Sequence, residues 1–354
     1  MTTGSRVGFL DELRGFAALY VAAAHVLIHH LELGRGWARL PWLFGQEMVM
    51  VFFLISGAAI RLSVRSRADL GVADFLRRRF LRLFPMIVLG LAAGYFAATL
   101  EAAAWQPVRW LELLGNLFFL QDFAPVKPGT ICSTYYGNAM LWSLSYEWWF
   151  YVIFLLVFSK VPAGFRTHSA GLISLLGVVG LIVWPNGPSY WATYFIIWWA
   201  GGTLVEPERK ERLQTLGWMV AGSLVILFFT IKTVGSLGGL KSPGVYPVLV
   251  ARHLGFSTAL FALLVVAGPW LRRLADRRLR GFAWAAPISY ALYVVHYPLA
   301  ADAHWLAAIG LPTGLVSAIA YGSVALVVAW LAEKYYQPWA LRWMRCIPFL
   351  KLSR

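Results

Sequence analysis

Residues 9–30 read FLDELRGFAALYVAAAHVLIHH. From Leu10 to His30 the run is long enough, at about 1.5 Å per residue, to cross the roughly 30 Å hydrocarbon layer of a bilayer as one helix. It is too long for the apolar part of a secretory signal, and two histidines follow it in place of a cleavage pattern, so it predicts a retained span. Nine further runs of this kind fall near residues 43–60, 83–103, 139–159, 170–184, 190–205, 214–231, 246–268, 284–304 and 313–334. The fifth and sixth are short and separated only by Pro185-Asn186-Gly187-Pro188, so nine or eleven crossings are the neighbouring readings.

Composition agrees with these runs. Of 354 residues, 60% are hydrophobic and 13% charged, and the mean hydropathy is +0.65. A soluble domain carries roughly 45–50% apolar residues, and one packed core cannot hide such a surplus from water. Ten spans of about 20 residues consume about 200 positions, which leaves short loops and no sizeable soluble domain. The expected fold is an all-α polytopic membrane protein with about ten transmembrane helices, a single domain over residues 1–354. Two cysteines, Cys132 and Cys346, define neither a disulfide framework nor a zinc site.

Thirty-one basic against 16 acidic residues give a net charge of +15. In a soluble chain that would suggest nucleic acid; here the cations sit between apolar runs, and no nucleic-acid partner is expected. With the amino terminus in the cytoplasm, 24 basic residues fall in inward segments and 7 in outward ones. Cytoplasmic loops carry the Lys and Arg excess, so both termini are expected inside. The longest outward loop, 104–138, holds an apolar run from Trp110 to Phe123 that suits the interface or a dip back into the bilayer. Gly90 and Gly94 form a small-residue pair that suits helix packing.

Ionisable groups inside spans are costly and are therefore candidates for function. Arg14 and His25, eleven residues apart, point the same way about 16 Å apart along the helix axis, with Ala18 and Val21 between them. A groove with a cation at its inner end and an imidazole toward the outer end suits a long, thin ligand with an anionic head. The plainer reading is a snorkelling arginine and a hydrogen-bonded histidine. Arg77, Arg78, Arg79 and Arg82 precede Pro85 at the third span, and Arg79 and Arg82, one helical turn apart, can fork onto phosphates. Topology alone also asks for arginine there.

In the fourth span Glu147 has Ser143 four residues before it and Tyr151 four after. Such a carboxylate is protonated or paired, and His25 or an inward arginine is the natural partner. Ser289, Tyr293 and His296 recur at i, i+4 and i+7 in the ninth span, before Pro298; both stripes would serve equally as glue between helices. Glu47, His253 and His304 lie at span ends or without a stripe, and His29 and His30 are expected at the outer interface. The Trp and Tyr density around Glu147 and at 190–199 suits stacking on sugar rings as well as membrane belts.

No Gly-rich phosphate loop, Gly-x-Ser-x-Gly elbow or His-Glu-x-x-His pair is present, which argues against an ATP-driven pump, a serine-hydrolase elbow and a zincin site. No His is followed by Asp five positions later, which removes the arrangement of the peripheral glycerolipid acyltransferases.

The remaining set resembles the integral membrane acyltransferase family 3. The pieces, in order, are Leu13-Arg14-Gly15 with His25; Phe52-Phe53-Leu54-Ile55-Ser56-Gly57; Arg79-x-x-Arg82 with Pro85; Trp142-Ser143-Leu144-Ser145-Tyr146-Glu147 with Phe150-Tyr151; and Ile288-Ser289-Tyr290-Ala291-Leu292-Tyr293 to His296 and Pro298. Ala58 stands where the family usually has Phe, and Met50 where many members carry an acid.

The resemblance implies transfer of an acyl group, commonly acetyl, from cytoplasmic acyl-CoA to a hydroxyl of a carbohydrate or glycoconjugate, in the cytoplasmic membrane. Acyl-CoA is a co-substrate, and no bound cofactor or metal is implied, because a thioester is already activated. His25 would be the catalytic histidine, as general base on the acceptor hydroxyl or as an acyl relay that takes the acyl group itself, Arg14 its companion, and Arg79 and Arg82, with Arg78 beside them, the phosphate or CoA contacts. Glu147 is expected to orient the imidazole as the third member of a triad does, and Ser143, Tyr293 and His296 to contact substrate. No esterase-like domain follows the last span, so any periplasmic transfer module is expected to be a separate partner protein. The competing readings are a proton-coupled transporter or flippase using Arg14, His25 and Glu147 as a relay, and a structural partner in an envelope assembly.

Overall fold

Away from water a helix satisfies every backbone N–H and C=O within its own segment, so apolar runs in a bilayer fold that way. A computed structural model describes residues 3–31, 41–66, 71–236, 244–278, 281–301, 305 and 314–350. Its helices are α1 (Thr3–His30), α2 (Gly45–Arg65), α3 (Val72–Glu101), α4 (Trp110–Leu117), α5 (Leu141–Lys160), α6 (Arg166–Val183), α7 (Gly187–Val205), α8 (Arg209–Ser236), α9 (Val248–Arg278), α10 (Ser289–His296), α11 (Leu315–Leu331) and α12 (Gln337–Cys346). The extended pieces are a two-residue parallel pair, β1 (Gln121–Asp122) and β2 (Cys132–Ser133). Arg35, Arg39, Arg67, Lys241, Arg280, His304, Lys351 and Arg354 lie outside the described residues, as do the side chains of Arg6, Arg272, Arg273, Arg277 and Arg278.

The architecture is an all-α polytopic membrane protein. Among the described residues seven segments are long and apolar enough to cross a membrane: Gly45–Arg65, Val72–Glu101, Leu141–Lys160, Ala163–Val183, Arg209–Val234, Val248–Gly268 and Leu315–Cys346. Ten were expected. The three other runs are helical but differ in kind: α1 carries Asp11, Glu12 and Arg14, α7 is rich in Trp, Tyr and Gly, and α10 has eight residues before a π turn at Tyr297–Ala301. The third helix begins at Val72, well before residue 83, so the arginine block is helical.

Helices attract one another in lipid through close van der Waals approach, for which small residues are needed. α2 and α7 meet that condition at Gly57 and Gly201: a Cβ on Gly57 would lie 1.8 Å from the Trp198 carbonyl oxygen, and one on Gly201 1.9 Å from that of Leu54. Outward faces of α8, α9 and α11 stay apolar and exposed at Leu224, Phe228, Val266 and Ile319, as a lipid-facing surface requires.

Two local devices set the site's geometry. The Glu12 carboxylate accepts the backbone N–H groups of Phe282 (2.7 Å) and Ala283 (2.8 Å), which docks α1 against the approach to α10. Pro298 has no N–H to offer the Val294 carbonyl four residues earlier. Asn138 Nδ2 donates there instead (2.9 Å) and also to the Gly90 carbonyl (3.0 Å), tying α10 to α3.

Residues 104–138 divide into an exposed part and a buried one. α4 exposes Trp110 and Leu111, and the chain then turns inward. Lys127, 2% exposed, donates to Asp122 Oδ1 (2.9 Å) and the Tyr146 hydroxyl (3.0 Å), and its Nζ lies 3.7 Å from the Trp142 ring centroid. Tyr190 and Tyr194 complete the cage.

Replacing Gly57 with Val forces α2 and α7 apart. At about 1–3 kcal/mol or more for such overpacking, the variant should show a lower melting temperature in detergent and less monodisperse protein. Gly217→Ala, in α8 where nothing lies within 4 Å of the new Cβ, should melt no lower than the parent.

Candidate active site

The two polar stripes read separately from α5 and α10 face each other. Ser143 Oγ donates to the Tyr293 hydroxyl (3.0 Å), and one turn along the Tyr290 hydroxyl donates to both Glu147 oxygens (2.7 and 2.9 Å). Glu147 also accepts from Ser56 Oγ on α2 (2.8 Å) and from the Tyr151 hydroxyl. Ser56 is held in turn by Trp198 Nε1 of α7 (3.1 Å). The carboxylate is therefore satisfied by three hydroxyls on α2, α5 and α10, and among the described residues no hydrogen bond joins it to His25. The orienting role expected for Glu147 toward that imidazole is not what the geometry provides.

These groups line a pocket of about 650 Å³, its open mouth included, between α1, α2, α3, α5 and α10. Arg14, Arg79 and Arg82 stand in its wall with Ser56, Glu147, Tyr151, Ser143, Ser289, Tyr290 and Tyr293. A second opening, also lined by Arg14, Arg82 and Tyr290, has Glu333 and Gln337 on its far side.

The arginines of this region divide by partner. Arg61 is paired with Glu206 (2.8 Å) and Arg77 with Asp74 (3.1 Å). Arg79 and Arg82 have no carboxylate within 4 Å among the described residues. Arg79 lies over the Phe75 and Tyr151 rings and donates to Ser63 Oγ (3.2 Å), Arg82 lies 4.9 Å over the Tyr290 ring, and the buried Nε of each has no hydrogen-bond partner. Two guanidiniums held by aromatic faces, with donors unspent, are a fit for a phosphate. Arg78 lines neither opening. Arg14 has a long contact to Asp11 (3.7 Å).

His25 lies outside the pocket wall, past Tyr293. The Tyr293 ring lines the pocket and packs on the His296 ring (6.0 Å between centroids). His296 is fully buried and shares a 3.1 Å hydrogen bond with His25 Nδ1. Gly45, the first residue of α2, lies beside His25: a Cβ there would lie 3.8 Å from His25 Cε1 and 4.0 Å from Nε2.

Other expected residues have structural places. His30 is buried, bonded to the Ala300 carbonyl and Ser317; His29 is exposed. Glu47 pairs with Arg252 (2.5 Å), and His253 with the Tyr194 hydroxyl (2.8 Å). Trp198, Trp199, Tyr190 and Tyr194 are at most 2% exposed, both tryptophans packing on Phe195, so they offer no face for sugar stacking. Sequence reasoning missed Tyr290 as a partner of Glu147 and Lys127 as a core residue. Tyr290 lay inside the motif Ile288 to Tyr293; Lys127 carried no signal beyond being one of the seven cations assigned outward.

Residues 7–334 match the family described as an acyltransferase domain, nearly the whole chain. No curated protein matches the chain. No solved structure matches it either.

Removing the carboxylate should destabilise the bundle, because each buried hydroxyl left without an acceptor costs about 1–3 kcal/mol. Glu147→Ala is expected to melt well below Glu147→Gln, which keeps an acceptor oxygen; a thermal melt of both in detergent checks the difference.

Proposed function

Because the chain belongs to the integral membrane acyltransferase family 3, we propose that it moves an acyl group, most simply acetyl, from cytoplasmic acyl-CoA to a hydroxyl of a carbohydrate or glycoconjugate. The observation that carries this reading is one continuous wall. It starts at the carboxylate-free guanidiniums of Arg79 and Arg82, passes Ser56 and Glu147, and reaches Tyr293, which packs on the His296–His25 pair.

In this reading the phosphates of CoA lie on Arg79 and Arg82, with Arg14 at the shared opening, and the thin pantetheine arm runs along the pocket. α1 is one unbroken helix, so Arg14 and His25 are about 16 Å apart along it, a spacing for a ligand whose charged head and reactive end are far apart. His25 takes the proton of the acceptor hydroxyl as its oxygen attacks the thioester carbonyl. The C–S bond breaks, and the departing thiolate recovers that proton to leave as CoA thiol. The thioester supplies the activation, so the residues named need only place the two substrates and move one proton. The inward excess of basic residues supports a cytoplasmic-membrane location with both termini inside. A separate periplasmic protein would then carry the acyl group further where the acceptor is remote.

Membranes containing the chain, supplied with radiolabelled acetyl-CoA, should label a carbohydrate or lipid-linked sugar fraction. His25→Ala should lower that transfer by about 10²–10⁴-fold, the usual contribution of a general base; undiminished transfer overturns the reading, as does substrate flux without acyl-CoA. Arg79→Gln and Arg82→Gln should raise KM for acetyl-CoA while leaving KM for acetyl-pantetheine, which lacks the nucleotide phosphates, near the parent value.

A further inference from the structure

His296 was expected to touch substrate, but its ring has no free edge. It is fully buried, Nδ1 lies 3.0 Å from the Leu292 carbonyl oxygen, and Nε2 lies 3.1 Å from Nδ1 of His25. A carbonyl oxygen only accepts, so Nδ1 of His296 must carry the hydrogen. In a neutral imidazole the other nitrogen then holds the lone pair. That lone pair faces Nδ1 of His25, which must in turn be the donor, and the only lone pair left in the pair is on Nε2 of His25. The opposite assignment would set the lone pair of His296 Nδ1 against the Leu292 carbonyl.

From this chain of donors we infer that His296 is a positioning residue that fixes the tautomer of His25, with Nε2 as the nitrogen that works on substrate. The inference rests on the acyltransferase reading above. A backbone carbonyl therefore starts a relay that a carboxylate starts in the familiar triads. The local backbone supports the same geometry. α10 ends at His296 and opens into the π turn Tyr297–Ala301, a distortion that recurs at functional sites. The turn sets the Tyr297 ring edge-on to His25 (5.6 Å, 85°), while the His296 ring, 5.3 Å away and tilted by 29°, meets His25 through the Nδ1–Nε2 hydrogen bond. His25 is thus held against two rings, and its Cε1 and Nε2 lie 3.8 and 4.0 Å from where a Cβ on Gly45 would stand. The acceptor proton arrives at Nε2 and leaves from Nε2 to the thiolate, while Nδ1–H stays donated to His296 throughout.

The test compares His296→Gln with His296→Leu in the full chain, in membranes given radiolabelled acetyl-CoA. The Gln carbonyl oxygen can accept from His25 Nδ1; Leu cannot. Leu should lower the turnover rate about 100-fold or more, the scale of a lost general base or a wrong tautomer, with KM for acetyl-CoA within about twofold of the parent. Gln should recover most of the loss. Equal damage in both variants, a loss confined to KM, or full turnover in the Leu variant overturns the inference. Should the Leu variant not accumulate, His296→Met, of similar size and weak as an acceptor, replaces it. The two readings fail separately: an active His25→Ala protein removes the acyltransferase assignment, whereas an inactive His25→Ala beside a fully active His296→Leu removes only the relay.

Discussion

A carboxylate at membrane depth must find donors, since an unpaired charge there costs several kcal/mol, and much of the bundle is arranged around how Glu147 finds them. It draws hydroxyls from three helices and no guanidinium. Each hydroxyl is itself placed by something else: Ser56 by Trp198 of α7, and Tyr151 and Tyr290 by their own helices under the two arginines. The carboxylate thereby fixes the aromatic faces on which Arg79 and Arg82 rest, while leaving those cations without a carboxylate of their own. Had Glu147 paired with either, the site would have traded an anion receptor for an ion pair.

In the proposed reading the site has its two chemistries at opposite ends: phosphate is held where α1, α3 and α10 converge, and the proton is handled beyond Tyr293, at the His25–His296 pair. The aromatic residues between and behind them are structural: Trp198 and Phe195 stack on each other, and Trp149 stacks on Trp191. Their burial explains how a wall containing Glu147 holds its shape.

Much of this was legible in the sequence, because it follows from local spacing. Apolar length located the helices, and the eleven-residue step from Arg14 to His25 placed both on one face of a helix that proves continuous. The i, i+4 stripes on α5 and α10 were visible too. Their mutual register was not: which side chain of α10 meets Glu147 depends on how two helices slide past each other, fixed by Asn138, Gly90 and the proline-freed Val294 carbonyl, residues far apart in the chain. For the same reason a basic partner seemed natural for Glu147 when three hydroxyls were waiting. Helix ends were misjudged where charged residues continue a helix past the apolar run, as at Val72, since hydropathy reports the surrounding solvent and not the hydrogen-bond ladder. His296 read as one more member of a stripe, and only its two buried nitrogens separate a relay from a contact.

The cage around Lys127 bears on how the chain is made. Lys127 and Asp122 precede every ring that encloses them: Trp142 and Tyr146 come from α5, Tyr190 and Tyr194 from α7. During synthesis the ion pair has no low-dielectric home until α7 has emerged and docked, and a charged pair pulled from water before then gains nothing in return. The segment carrying them must therefore wait, hydrated, until α5, α6 and α7 have all followed it. Its closure is a late step that reports the arrival of α7, and so also of Trp198 against Ser56.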